Sequence, residues 1–429
     1  MAINFFKGHP TTRLLPGKEL SETFTQVLNQ NYDQYEDDAD NQHPLAYGTD
    51  PGNLDIRTTI SKWIGSFYNR DDDPKCINLT AGASYGMANI LTAFTNTNIT
   101  KQAFIVTPTY FLINGTFLDV EFEGKLTAID ETKHYPSSTS KYDIDLEYLE
   151  SKLKEFSTGL PPISENTIED PERGKWKFYR FVIYLVPTFS NPGGITYSLP
   201  TLKKLLELAR EYDLLIVTDD VYDLLNYGEE PNVPKLVHLD CDNCPNLPYG
   251  NVISNCTFSK ICAPGLRMGW QEMASSQMVW QLANTGANKS GGTPGQLASF
   301  AIQTFIESGK LDENIALLKK VYRNRCKVLI EAIGKHLPKD TVVNGGKGGY
   351  FFWITIPGDI DHNKVVQKLS EENVILASGD HFEVSGDPRH WGKNSVRLSI
   401  SYLEEEKIIL GIEKWGTVLK QEYPHLYDK

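Results

Sequence analysis

The chain has 429 residues, 40% of them hydrophobic and 23% charged, an ordinary composition for a soluble protein of two or three domains. Its formal net charge of −13 opposes a broad nucleic-acid interface, because binding many phosphates requires a basic face. There is no apolar run of about 18 or more residues and no leader-like start, so we expect no membrane partner and a cytoplasmic location.

The cysteines are scattered along the chain rather than set in a disulfide-like framework. They are Cys76, Cys241, Cys244, Cys256, Cys262 and Cys326, and we expect reduced thiols. CDNC (241–244) has the CxxC spacing of a redox pair or half a zinc site. Because no second CxxC or matching histidine pair accompanies it, we interpret CDNC as a loop and expect no metal site.

Strand-like and helix-like segments alternate over the first two thirds of the chain. The strand-like segments are 77–82, 103–108, 126–130, 181–187, 214–220 and 252–259. Helices are predicted over 84–96, 145–156 and 198–212, the last with Ser198 and Pro200 as an entry signal. Continuous apolar runs between helices are typical of parallel strands covered on both faces, so we predict an α/β fold with a mainly parallel sheet.

The pattern changes in three places. Two polar stretches, 156–177 and 229–250, are predicted to be surface insertions. After about residue 290 the patterns are a helical region at 296–336, strands at 348–356, 373–379 and 395–403, and a helix near 361–372. This succession is typical of a smaller α+β domain. We therefore expect a large α/β domain over 46–290 and a small domain formed by 1–45 and 291–429.

A glycine-bearing turn joins a predicted strand to a predicted helix in TAGASYGM (80–87). The free N–H groups of a first helical turn can bind a phosphate. Gly82 permits close approach of the backbone, Ala83 and Ser84 offer N–H groups, and Ser84 adds a hydroxyl. Such a turn is common in purely structural positions, so its weight depends on the motifs that follow it.

Two further candidates come after the next strands. Tyr110 in PTYF (108–111) suits stacking on an aromatic cofactor, although a tyrosine packed in the core is the structural alternative. Asn191 in FSNPGG (189–194) can donate from its amide to a phenolate oxygen, whereas NPGG alone would be interpreted as a turn.

The strongest signal is the pairing of LLIVTDDVY (214–222) with TFSKICAPGLRMGW (257–270). A lysine that forms an imine needs a desolvated pocket and nearby positive charge, whereas a pyridine nitrogen that keeps its proton needs a carboxylate. Lys260 with Arg267 meets the first requirement. Asp219 meets the second, with Asp220 as its competitor, and Tyr222 adds a hydroxyl for the phenolate oxygen. Together they indicate pyridoxal 5'-phosphate (PLP).

With these motifs in this order, the chain resembles the fold type I PLP-dependent aminotransferases of classes I and II. It is similar to the branch that contains 2-aminoadipate and kynurenine aminotransferases, over about 5–403. The resemblance implies that Lys260 carries the cofactor imine, and that Arg267, Thr257 and Ser259 contact the cofactor phosphate.

The same resemblance implies contacts beyond the cofactor site of one chain. Tyr47 in LAYGTDPG matches a tyrosine that reaches the cofactor phosphate of the neighbouring subunit, which implies a homodimer with shared active sites. Arg397 in VRLSIS matches the arginine that binds the substrate α-carboxylate, a role that suits its planar fork. Asn191 and Gly8 are further substrate-binding candidates.

The implied architecture is a PLP-transferase fold type I with a seven-stranded, mainly parallel sheet. The implied activity moves an amino group between an L-amino acid, with 2-aminoadipate and aromatic amino acids as candidates, and a 2-oxo acid such as 2-oxoglutarate. The free amine of Lys260 would then act as general acid and base. One departure is that Ala83 and Ser84 stand where relatives commonly have a hydroxyl residue and glutamine, which leaves one fewer side-chain donor for the phosphate.

Alternatives stay open at this point. The same electron sink serves β-elimination and decarboxylation, so the motifs also fit another PLP reaction on amino acids. A transcriptional regulator with an aminotransferase-like domain is opposed by the acidic charge and by a family match that begins within about the first ten residues. For the substrate pocket, Tyr350 and Phe351 are candidates. Arg13 is a candidate for a side-chain carboxylate, although an exposed arginine is the simpler expectation.

Overall fold

The computed structural model describes residues 2–33, 42–133, 140–163, 167–243, 248–291, 295–358 and 360–427. Its strands are β1 (Ile3–Asn4), β2 (Ile77–Thr80), β3 (Gln102–Thr107), β4 (Leu126–Asp130), β5 (Thr167–Asp170), β6 (Gly174–Lys177), β7 (Phe181–Leu185), β8 (Leu214–Asp219), β9 (Val252–Thr257), β10 (Gly269–Met273), β11 (Val342–Gly345), β12 (Phe351–Thr355), β13 (Val374–Ile375), β14 (Ala377–Ser378) and β15 (Ser395–Ser399).

Its helices are α1 (Gly17–Leu28), α2 (Leu54–Tyr68), α3 (Ala83–Phe94), α4 (Ile113–Leu118), α5 (Leu146–Ser157), α6 (Leu199–Tyr212), α7 (Leu236–Asn243), α8 (Ser276–Ala283), α9 (Gly286–Gly291), α10 (Gln296–Glu307), α11 (Lys310–His336), α12 (His362–Glu371) and α13 (Glu405–Glu422). None of these described helices is both long enough and apolar enough to cross a membrane.

A seven-stranded sheet in the order β2-β10-β9-β8-β7-β3-β4 forms the centre of the molecule. Neighbouring strands from β9 to β4 pair in parallel, and β10 runs antiparallel between β9 and β2. The prediction of a mainly parallel seven-stranded sheet is confirmed, and each of the six predicted strands is present. The segment GWQEM of β10 was not predicted as a strand, because polar residues interrupt its apolar run.

Both faces of this sheet are covered. In β8, the buried Leu214 and Ile216 belong to one apolar cluster, whereas Leu215 and Val217 belong to the other. Successive side chains of a strand point to opposite faces, so a strand that is apolar at every position requires helices on both sides. Helices α5 and α6 supply one layer, and α3 and α8 supply apolar residues to the other.

The C-terminal part contains a smaller antiparallel sheet in the order β11-β12-β15-β14, with α11, α12 and α13 packed together beside it. The N-terminal β1 pairs in parallel with β13, so that Ile3 lies opposite Val374. This pairing fixes the start of the chain against the C-terminal part and directs the next residues toward the edge of the central sheet.

The two predicted surface insertions contain regular structure. The first, 156–177, includes the hairpin of β5 and β6, in which Trp176 and Lys177 are buried. The second, 229–250, contains α7. The interpretation of CDNC as a loop is therefore wrong for 241–243, which end this helix, while Cys244 lies outside the described residues. The five cysteines that the structure describes are free.

Candidate active site

The carboxyl ends of the parallel strands meet at one edge of the central sheet, and the motif residues lie there. Gly82 follows β2, Tyr110 follows β3, Asn191 follows β7, Asp219 ends β8 and Lys260 follows β9. Because β10 runs in the opposite direction, its first residues lie at the same edge and bring Arg267 to it. Open parallel sheets bind their ligands at this edge.

A cavity of about 550 Å³ opens at this edge. Among the predicted site residues, those that line it are Gly8, Ala83, Ser84, Tyr110, Asn191, Asp219, Tyr222, Thr257, Ser259, Lys260, Arg267 and Arg397. Gly82 is buried directly behind Arg267. Tyr47 does not line the cavity of its own chain, and 76% of it is exposed.

The charge of the cavity lining is strongly positive, in contrast to the acidic chain. Among the residues that the structure describes, four basic residues line it, Lys7, Lys260, Arg267 and Arg397, against one acidic residue, Asp219. A cleft lined by charges of one sign concentrates ligands of the opposite sign. The cavity therefore suits an anionic ligand, such as a phosphate or a carboxylate.

Lys260 carries an amine that can lose its proton near neutral pH. Desolvation lowers its pKa to about 8, the Arg397 and Arg267 cations act in the same direction, and Asp219 opposes them. The Nζ atom lies 3.2 Å from the carbonyl oxygen of Gly8. The hydroxyl of Tyr350 donates to the carbonyl oxygen of Lys260 at 2.7 Å and so fixes the backbone that carries the amine.

Asp219, rather than Asp220, faces the cavity. Its Oδ2 accepts a hydrogen bond from the Tyr184 hydroxyl at 2.8 Å, and burial raises its pKa to about 6. Asp220 points to the other side, where its Oδ2 accepts hydrogen bonds of 2.6 Å each from the hydroxyls of Thr218 and Ser254. The alternation of side chains at the end of β8 thus separates the two carboxylates.

Hydroxyl groups and an arginine form a cradle near the start of α3. The Thr257 hydroxyl donates to Ser259 Oγ at 2.9 Å, and Nη1 of Arg267 lies 3.4 Å from the same oxygen. Gly82 has a φ of 94°, and a Cβ added there would lie only 2.7 Å from Nη2 of Arg267. The positive φ favours glycine at this position, and the absence of a side chain lets the arginine lie beside the free N–H groups of the helix.

Arg397 is buried, and no carboxylate of the described residues forms an ion pair with it. It donates from Nη1 to Asn191 Oδ1 at 3.0 Å and from Nη2 to the Phe6 carbonyl at 2.6 Å. Its guanidinium carbon lies 4.2 Å from the ring centroid of Phe351. Its Nε has no hydrogen-bond partner in the part of the chain that the structure describes, and burial lowers its pKa to about 10. A buried, incompletely paired guanidinium favours binding of a carboxylate.

Two phenol side chains lie between these charged groups. Burial raises the pKa of Tyr222, and the Asp219 carboxylate adds to this effect, so the hydroxyl stays protonated and can donate. Burial and Asp219 likewise raise the pKa of Tyr110. Both residues line the cavity.

Sequence reasoning did not identify several residues that build the site. Tyr184 lies inside the apolar run of β7 and resembles an ordinary core residue. Asn255 is a polar residue in the buried strand β9, and this signal could have identified it as a site candidate. Of the proposed pocket residues, Phe351 lines the cavity and Tyr350 does not. Arg13 does not line the cavity; 71% of its side chain is exposed, and it pairs with Glu404 at 2.6 Å. It is therefore an exposed arginine, which was the simpler expectation.

Comparisons with known proteins agree with this geometry. Residues 15–413 match the family model of aminotransferase class I and II. The chain is 43% identical to an uncharacterised protein of Saccharomyces cerevisiae over 97% of each chain. It is 28% identical to aromatic-amino-acid aminotransferase 1 of Thermococcus litoralis, over 98% of this chain and 88% of that one. The structure of kynurenine aminotransferase from Pyrococcus horikoshii, at 28% identity, matches with a TM-score of 0.77 over 98% of this chain and 91% of that one.

The fold and the cavity define a PLP-dependent enzyme of fold type I. Its residues fit the cofactor, because the cavity offers a cradle with a glycine of positive φ, an amine of lowered pKa and a carboxylate. The chain belongs to the aminotransferase class I and II family and is a PLP-dependent transaminase.

Proposed function

We propose that the enzyme moves the amino group of an L-amino acid to a 2-oxo acid such as 2-oxoglutarate, and that it prefers aromatic donors to 2-aminoadipate. The observation that carries the proposal is the setting of Arg397, an incompletely paired guanidinium against the ring of Phe351. Phe6 and Phe111 extend this aromatic wall into the cavity. The named activities of the Thermococcus and Pyrococcus relatives support an aromatic donor.

When bound, PLP supplies an electron-withdrawing ring that makes the Cα–H bond of an amino acid acidic. Lys260 is the proposed attachment point for the cofactor, and its free amine takes and returns the Cα proton. A pKa of about 8 suits both tasks near neutral pH. The Asp219 carboxylate, oriented by the Tyr184 hydroxyl, keeps the ring nitrogen protonated.

The remaining cofactor contacts are assigned by charge and position. The N–H groups of 82–84, the hydroxyls of Thr257 and Ser259, and the Arg267 guanidinium bind the phosphate. Tyr110, which lines the cavity, would stack on the ring. The Tyr222 hydroxyl and the Asn191 amide donate to the ring oxygen. In the substrate, the α-carboxylate lies on Arg397, with Asn191 and Gly8 beside it.

We further propose a homodimer in which Tyr47 of the partner subunit reaches the cofactor phosphate. Support comes from three exposed apolar side chains within residues 45–54, where 67% of Leu45, 76% of Tyr47 and 44% of Leu54 are exposed. The proposed domains remain 46–290, with the central sheet, and 1–45 with 291–429. A cytoplasmic location is supported by the free thiols.

A screen of amino donors against 2-oxoglutarate tests the proposal. Aromatic amino acids are expected to give the highest kcat/KM, and Arg397→Ala is expected to raise KM for the amino acid while the bound cofactor stays in place. Release of ammonia or carbon dioxide without need for a 2-oxo acid would contradict transamination as the main reaction.

A further inference from the structure

Lys7 is a basic residue of the cavity lining that the proposed chemistry does not use. Lys260, Arg267 and Arg397 are assigned to the cofactor linkage, the phosphate and the α-carboxylate. Lys7 lines the same cavity without such a role. Because a cation at a ligand cavity attracts anions, this side chain remains available for a second negative group on a substrate.

The backbone holds Lys7 between two residues that contact the central groups of the site. The carbonyl of Phe6 accepts from Arg397 Nη2 at 2.6 Å, and the carbonyl of Gly8 lies 3.2 Å from Lys260 Nζ. Adjacent Cα atoms are about 3.8 Å apart, so the Lys7 stem starts close to both groups. Pairing of β1 with β13 fixes this segment in place.

The present partner of the Lys7 ammonium is a neutral phenol. Nζ donates to the Tyr402 hydroxyl at 3.1 Å and lies 4.2 Å from the centroid of the same ring. No carboxylate forms an ion pair with it in the part of the chain that the structure describes, whereas the nearby Arg13 and Arg325 both pair with Glu404. A carboxylate makes a stronger, charge-assisted hydrogen bond than a phenol does. An anionic substrate group can therefore draw Lys7 away from Tyr402.

We propose that Lys7 binds the distal carboxylate of a dicarboxylic 2-oxo acid such as 2-oxoglutarate, while Arg397 binds its α-carboxylate. This inference rests on the proposed function, since it assigns the acceptor of the same site. An aromatic donor leaves Lys7 on Tyr402 and packs on Phe6, Phe111 and Phe351. One cavity thus accommodates an apolar donor and a doubly charged acceptor in alternate halves of the cycle.

Binding of unreactive acids tests this assignment without turnover. The holoenzyme is titrated with glutarate, which has two carboxylates, and with hexanoate, which has one, by following the absorbance of the bound cofactor. Lys7→Met is expected to weaken glutarate binding by about tenfold or more and to leave hexanoate binding unchanged. Lys7→Arg keeps the positive charge and is expected to retain most of the affinity. Lys18→Met, on the exposed face of α1, is the matched control.

Kinetics with two acceptors provides the second measurement. In Lys7→Met, KM for 2-oxoglutarate is expected to rise about tenfold or more, with KM for 2-oxohexanoate unchanged. Equal losses for both acceptors, or no change for either, would overturn the assignment. If the enzyme uses aromatic donors but Lys7→Met does not change KM for 2-oxoglutarate, only the role of Lys7 is refuted. If Lys7→Met raises this KM as expected but the enzyme rejects aromatic donors, only the proposed donor is refuted.

Discussion

Two lysines near the central sheet, Lys235 and Lys260, have pKa values shifted in opposite directions. Lys235 is buried, with its Nζ 2.6 Å from Glu272 and 3.5 Å from Asp223. Burial lowers its pKa, but Cys256 and these two carboxylates together outweigh burial, and its pKa lies well above the ordinary value. Lys260 has cations for neighbours besides Asp219, and desolvation lowers its pKa to about 8.

The difference separates a structural charge cluster from a functional one. Around Lys235, the Glu272 carboxylate also accepts from the Trp270 indole at 2.8 Å, and Asp223 accepts from the Tyr68 hydroxyl at 2.7 Å. These groups satisfy one another and need no ligand. Near Lys260, the Nε of Arg397 has no hydrogen-bond partner among the described residues, and Lys260 itself is desolvated. Both arrangements cost stability and are relieved when an anionic ligand binds.

The largest effect is expected at Lys260, because its replacement should remove transamination activity while the protein still folds. Lys260→Ala should lower kcat by about 10²–10⁴-fold or more, because the variant lacks the base for the Cα proton. It should also lose the absorbance that the lysine-linked cofactor contributes. Transamination assays and absorbance spectra check both, with Lys18→Ala as the control. A variant that keeps the wild-type spectrum would refute the assignment of Lys260.

At Lys235 the expected effect is on stability rather than chemistry. Lys235→Met should lower the free energy of unfolding by about 3–5 kcal/mol, because it leaves the Glu272 carboxylate buried without its cation. Urea unfolding of the purified protein measures this change. The double variant Lys235→Met/Glu272→Gln removes the orphaned charge and should recover part of the loss. Equal destabilisation in the single and double variants would show that the ion pair is not the cause.

The sequence predicted the functional residues around Lys260 better than it predicted the residues that support them. Lys260, Asp219 and Asn191 follow apolar runs that predict parallel strands, and such strands place their carboxyl ends at one edge. Local pattern is therefore enough to bring these residues together.

Residues that depend on pairing register or on chain ends could not be predicted in this way. Tyr184 orients Asp219 because β7 pairs with β8 with Tyr184 opposite Val217, and no local pattern encodes that register. Lys7 reaches the cavity because β1 pairs with β13, a contact between the two ends of the chain. The antiparallel β10 was not predicted because it contains the polar residues Gln271 and Glu272. These residues do not face solvent but pair with buried partners.

Without cofactor, Lys260 is expected to reduce stability in a pH-dependent manner. Its folded-state pKa of about 8 lies below the ordinary 10.5, so between these values the unfolded chain binds more protons and the free energy of unfolding rises with pH. Lys260→Met should therefore stabilise the cofactor-free protein by at most about 3 kcal/mol below pH 8, and this gain should fade toward pH 10.5. Denaturant unfolding of both proteins across this range measures the difference. A gain that does not vary with pH would point to packing instead of charge.

The smallest expected effect distinguishes the two adjacent carboxylates. Asp219 has a folded-state pKa of about 6, and only its ionised form pairs with a protonated ring nitrogen. The affinity of the wild-type protein for the cofactor should therefore fall by about tenfold from pH 7 to pH 5. The Asp219→Asn variant reports the part of any change that comes from titration of the free cofactor, and the tenfold fall is expected in addition to that part.

Asp220→Asn is the control for this titration of cofactor affinity. Asp220 does not line the cavity and bonds to Thr218 and Ser254, so this variant should keep the pH dependence. The midpoint should move slightly to lower pH, because the Asp220 charge contributes to raising the pKa of Asp219. If the Asp220 variant loses the pH dependence and the Asp219 variant keeps it, the roles of the two carboxylates are reversed. The alternation of side chains at the end of β8 would then not decide which of them holds the ring nitrogen.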